Sequence, residues 1–102
     1  MKANDKIKNE IILNFFYKDN NPDCQITRKA LYNILDNYLE NVIMHEVNFD
    51  QNKDLCTAYN VYGVPTLIIT NNNTILNRYS GILDSQEIQR FLDQLLSVSD
   101  AE

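Results

Sequence analysis

The sequence predicts an α/β fold, a central mixed sheet flanked by helices in three layers. Three observations carry it. Residues 11–49 read as strand, helix, strand, which implies parallel pairing through a crossover helix. Val64-Pro65-Thr66-Leu67-Ile68-Ile69 is an apolar, β-branched run that reads as a largely buried strand, with Pro65 at its entry because Pro cannot donate to a ladder. An Asn71-Asn72-Asn73 turn signal then closes a hairpin ahead of an amphipathic helix.

The elements follow in order. Residues 3–9 are polar and are compatible with a short helix. Ile11, Ile12, Leu13, Phe15, Phe16 and Tyr17, broken only by Asn14, form the central strand. Residues 18–23 are a loop by their Asn, Asp and Pro content. From Cys24 to Glu40 the spacing of Ile26, Ala30, Leu31, Ile34, Leu35, Tyr38 and Leu39 is helical. Val42 to Phe49 is the second strand, with Val42, Ile43, Val47 and Phe49 expected inside and His45 facing solvent. A short helix, Asn52 to Asn60, carries Leu55, Cys56 and Tyr59. Thr74 to Tyr79 pairs back across the turn, and Gly81 breaks it. Asp84, with Glu87 three residues on, caps a helix whose core stripe is Ile88, Phe91, Leu92, Leu95 and Leu96.

Composition narrows the function. The 102 residues read as one domain, residues 1–102, and 44% apolar content supplies a small core. A net charge of −5 argues against a nucleic-acid or membrane-surface partner. The first residues lack the apolar core of a signal peptide, and no apolar run is long enough to span a bilayer, so a cytoplasmic location is expected. Two cysteines, Cys24 and Cys56, are too few for a disulfide scaffold. One histidine and no ligand spacing give no reason to expect a metal, and nothing implies a cofactor.

Taken together, Ile12-Leu13-Asn14-Phe15-Phe16, Val47-Asn48-Phe49-Asp50-Gln51-Asn52, Tyr59 to Thr66, and Tyr79-Ser80-Gly81 with the Asp84 cap resemble the thioredoxin family from about Glu10 to Leu96. The resemblance implies a thioredoxin-like sandwich lacking the first edge strand. It implies a cis Pro65 closing one wall of the site, and an extended peptide or protein partner bound beside Tyr62, Val64, Pro65 and Thr66. The family's Cys-x-x-Cys falls on Asn21-Pro22-Asp23-Cys24, so the attacking cysteine is replaced by Asn21. The preceding Trp falls on Asn20 or Asp19, the buried Asp on Asn14, and its Lys partner on Glu46.

Thiol–disulfide exchange needs an attacking and a resolving sulfur, and only the second is present. Asp19, Asp23 and Glu46 disfavour a thiolate at Cys24, whereas a helix N-terminus favours one. The balance makes Cys24 a weak nucleophile. It is either a small core residue, a single-cysteine site forming mixed disulfides, or one half of an exchange pair with Cys56. Two functions follow. One is a single-cysteine site with limited exchange and peptide binding. The other is a non-catalytic binding or assembly module using the same groove or the open sheet edge. Tyr62 is either a groove contact or an ordinary surface tyrosine.

Overall fold

The computed structural model describes residues 10–38 and 40–100, the last four by backbone only. Four strands, β1 (Ile11–Tyr17), β2 (Val42–Asn48), β3 (Thr66–Asn71) and β4 (Thr74–Ser80), lie in the order β2-β1-β3-β4. Helix α1 (Pro22–Leu35) crosses between the parallel pair β1 and β2, with Ile11 opposite Val42 and Tyr17 opposite Asn48. Strand β3 runs antiparallel to both β1 and β4. A 3-10 turn (Phe49–Gln51) leads into the short helix α2 (Lys53–Ala58), and α3 (Ser85–Asp100) closes the described chain. Strands β2 and β4 are the edges, and among the described residues no strand pairs with the outer side of β2.

The side-chain alternation of β1 divides the core. Ile11, Leu13 and Phe15 point to one face, where α1 supplies Cys24, Leu31 and Ile34 and α3 supplies Ile88 and Leu92. Phe16 points to the other, where it meets Val47, Ile68, Val61 and Cys56 of α2. The resulting layers are α1 and α3, sheet, and α2. Each fully buried large apolar side chain contributes about 1.5–3 kcal/mol, so the two faces of β1 and β3 hold most of the driving force for folding.

Both ends of α1 differ from the sequence reading. Helix α1 begins at Pro22, because Asn21 caps it and proline is favoured in a first turn. It ends at Leu35 rather than Glu40. Asp36 and Asn37 compete for backbone groups and turn the chain, with the Asn37 N–H on the Ile34 carbonyl at 3.0 Å. Tyr38, assigned to the helical stripe, instead lies beyond the turn and donates its hydroxyl to Asp93 of α3. Burial first, and that bond second, push the Tyr38 phenol up to about 12. Leu39 and the segment 3–9 lie outside the described residues.

Ile43 is 47% exposed, because it shares a face with Val47 and His45 while α2 covers only the Val47 end of that face. His45 is exposed, as expected. Phe49 leaves the strand for the 3-10 turn, where Lys18 and Lys53 sit over its ring at 5.1 and 4.7 Å.

The hairpin turn is Asn72-Asn73, both left-handed (φ 54° and 68°), the pattern of the tight turn that matches strand twist. Asn tolerates this region and a β-branched residue does not. Asn73→Val is therefore expected to cost about 1–2 kcal/mol, read as a lower urea midpoint, with Asn73→Gly tolerated. At the start of α3, Asp84 Oδ1 accepts from the Gln86 N–H at 3.0 Å and the Glu87 N–H at 3.4 Å, so the sequence-predicted cap forms.

Candidate functional site

The loop from β1 and the start of α1 form the first wall. Asn20 sits at φ 58°, a conformation suited to Asn and costly for a bulky aromatic, so a Trp does not fit this loop conformation. Asn21 is extended (φ −106°, ψ 116°), and its Oδ1 accepts from the Cys24 N–H at 2.9 Å. Asn21 is thus a helix cap with its acceptor occupied. Pro22 and Asp23 are exposed on the first turn, where the Asp23 charge complements the helix dipole.

Cys24 has no exposed surface, and its side chain packs into the core shared with Leu31, Ile34 and Phe15. Cys56 is likewise buried, on the opposite face of the sheet, so the two thiols belong to different cores, and both are free. Burial pushes the Cys56 thiol up, Lys53 pulls it partly back, and Asp50 adds to the rise. This separation gives no support to the alternative of an exchange role shared between Cys24 and Cys56.

Two supporting positions take new roles. Asn14 is 7% exposed, and its Nδ2 donates to the Ile68 carbonyl at 2.9 Å and to Thr70 Oγ1 at 3.1 Å, tying β1 to β3. Glu46 was expected to bear on Cys24. It pairs instead with Arg28 Nε at 2.9 Å and accepts from the Tyr32 hydroxyl, an interaction that raises the Tyr32 phenol before burial adds to it. Arg28 in turn lies 4.6 Å over the Tyr17 ring and 5.4 Å over Phe15, so this cluster fastens α1 to the sheet.

The second wall is the Val64–Pro65 segment, whose peptide bond is cis. The Gly81 N–H donates to the Pro65 carbonyl at 2.9 Å, with Gly81 at φ 84°, a backbone state that favours glycine. Thr66 is buried and its hydroxyl donates to the Gly63 carbonyl at 2.7 Å, so it holds the loop from behind. Val64 is half-buried against both cores. Tyr62 is 80% exposed, with its hydroxyl on Asn60 Oδ1 at 3.1 Å. Tyr62, Val64, Pro65 and Thr66 line one open hollow of about 300 Å³. Asn21 to Cys24 are not part of its lining; they follow β1, whose Phe16 pairs with Thr66, so both sets lie toward the same end of the sheet.

The sequence reading missed three residues here. Asn60 and Arg78 also line the hollow, and Ile82, immediately after Gly81, is 57% exposed. Arg78 is the one cation of β4, and the Gly81 turn beside Pro65 is the signal that Ile82 stands next to the loop.

A family model described as thioredoxin matches residues 2–94. The chain belongs to the thioredoxin family. The thioredoxin of Buchnera aphidicola subsp. Acyrthosiphon pisum is 29% identical over 87 residues, 85% of this chain and 80% of that protein. The mitochondrial thioredoxin of Bos taurus is 29% identical over 73 residues, 72% of this chain but only 44% of that protein. Among solved structures, thioredoxin-2, described as a component of malaria parasite protein secretion machinery, superposes with a TM-score of 0.78 at 21% identity over 84% of each chain. Deadhead, a germline-specific thioredoxin of Drosophila melanogaster, gives 0.77 at 18% identity over 92% of this chain and 89% of its own. These structures establish the thioredoxin fold for this chain.

Proposed function

We propose that this thioredoxin-family protein binds an extended peptide segment of a partner beside the Val64–Pro65 loop, and that thiol exchange at Cys24 is vestigial. The observation that carries the reading is the state of the helix start. Position 21 supplies a capping oxygen where exchange needs a sulfur, and the remaining sulfur, Cys24, is fully buried. At the Pro65 loop, Tyr62 is exposed in the hollow, and Ile82 is exposed next to Gly81, whose N–H bonds the Pro65 carbonyl. Exposed aromatic and aliphatic side chains around a shallow hollow suit contact with an extended chain.

Two measurements test this. Native-state alkylation by iodoacetamide across pH, read by mass spectrometry, is expected to label Cys24 as slowly as Cys56, and both only as the protein opens. Insulin reduction with dithiothreitol is expected to stay at the uncatalysed rate. Rapid native labelling of Cys24, together with formation of a glutathione mixed disulfide, would establish the single-cysteine exchange reading in its place.

A further inference from the structure

The hollow beside the cis-proline loop contains a positioned charge. Arg78, on the edge strand β4, stands opposite Ile68 and so points to the sheet face that carries α2. Its Nη2 donates to the Asn60 carbonyl at 2.9 Å. Asn60 is held at φ 57°, and its side chain accepts from Tyr62. Among the described residues, no carboxylate lies within ion-pair distance of Arg78, and only Nη2 has a protein acceptor. The chain as a whole is acidic, at −5, and this hollow holds a fixed cation with no carboxylate among its lining residues.

We infer that the hollow lined by Arg78, Asn60 and Tyr62 is a subsite for one carboxylate side chain, Asp or Glu, of the bound peptide. The inference rests on the peptide-binding reading above and adds to it the chemistry of one partner position. The guanidinium fork suits two parallel hydrogen bonds to a carboxylate. Anchoring by the Asn60 carbonyl lowers the ordering cost of binding, because the arginine is already partly fixed. The exposed Tyr62 ring covers the aliphatic stem of the incoming side chain. The occupant is a single carboxylate and not an acidic run. One cation in the hollow matches one anion, and further negative charge meets the protein's own. Because the hollow is open to water, the pairing is worth about three- to tenfold in affinity.

The test uses the full chain and a defined probe. A random dodecapeptide phage library is panned on the wild-type protein, and the enriched sequence is synthesised with a fluorescein label for anisotropy titration. The expected result is an Asp or Glu recurring at one position of the enriched peptides. Changing it to Asn or Gln should weaken binding about three- to tenfold. Arg78→Gln should give the same loss, and the two changes together should cost no more than either alone. Arg78→Glu should recover affinity when the peptide carries Lys at that position. Unchanged melting of both variants separates lost pairing from lost fold. Enriched peptides with no recurring acid, bound equally by wild type and Arg78→Gln, would overturn the carboxylate subsite and leave the peptide-binding reading standing. No enriched peptide at all would overturn both.

Discussion

Asn21→Cys is expected to raise insulin reduction well above the rate of the unmodified protein. The substitution creates a Cys-Pro-Asp-Cys sequence on the first turn of α1, where the new thiol lies three residues from Cys24, at the end of the helix whose amide groups favour a thiolate. That thiolate attacks a substrate disulfide and releases one substrate thiol. Cys24 then attacks the mixed disulfide and releases the second, which leaves a disulfide within the protein for dithiothreitol to reduce. The loss of the Asn21 Oδ1 bond to the Cys24 N–H should lower stability by about 1 kcal/mol. The gain in turnover should therefore accompany a small fall in melting temperature. Asp23, exposed beside the new thiol, and Asn14, which cannot accept a proton as a carboxylate would, keep the rate below that of an ordinary thioredoxin. A variant that melts as expected yet shows no turnover would mean that position 21 is not presented to substrate.

The second large effect concerns stability. Restoring the family's buried acid by Asn14→Asp should destabilise the protein by about 2–4 kcal/mol at neutral pH, a fall in Tm of more than about 10 °C for a chain of this size. Asn14 acts through its NH₂ group, which donates to the Ile68 carbonyl and to Thr70. A carboxylate has no donor, and one of its oxygens would face the Ile68 carbonyl across a former hydrogen bond. Burial and that opposed oxygen both disfavour the ionised form, so the acid's folded-state pKa lies above its unfolded value of about 3.9. The sign follows from linkage. The penalty is small below the unfolded value, where the group is protonated in both states, and it grows as pH rises toward and through the folded value. Thermal melts of wild type and Asn14→Asp between pH 3.5 and 8 check this. A gap that does not change with pH would place the cost in geometry and not in charge.

The asymmetry between these two substitutions shows how much of the site could be read in the sequence. The alternation of β1, the stripe of α3 and the Asn71–Asn73 turn are local patterns, and each formed where local patterning placed it. That residue 21 is Asn and not Cys is likewise a matter of residue identity. What identity does not carry is direction. Ile43 and Val47 are equally apolar, and only the extent of α2 decides that Val47 is covered and Ile43 is not. Tyr38 continues the helical spacing of α1, yet its hydroxyl has a partner on α3, some fifty residues away in sequence, and the chain turns before reaching it. Glu46 occupies the position expected to perturb Cys24, but Arg28 neutralises it from the next helix turn. Arg78 was invisible for the same reason. Its significance depends on Asn60 and Tyr62, brought to it only when β4 pairs with β3.

The sheet that separates Cys24 from Cys56 has a further consequence. An ordinary family member exists in two covalent forms, and the surroundings choose between them. This chain has two cysteines, each enclosed in its own core, so under the binding function proposed above oxidant and reductant would find the same two thiols. On that proposal, affinity for a peptide would follow surface chemistry and concentration and would not respond to the redox conditions that switch a dithiol relative.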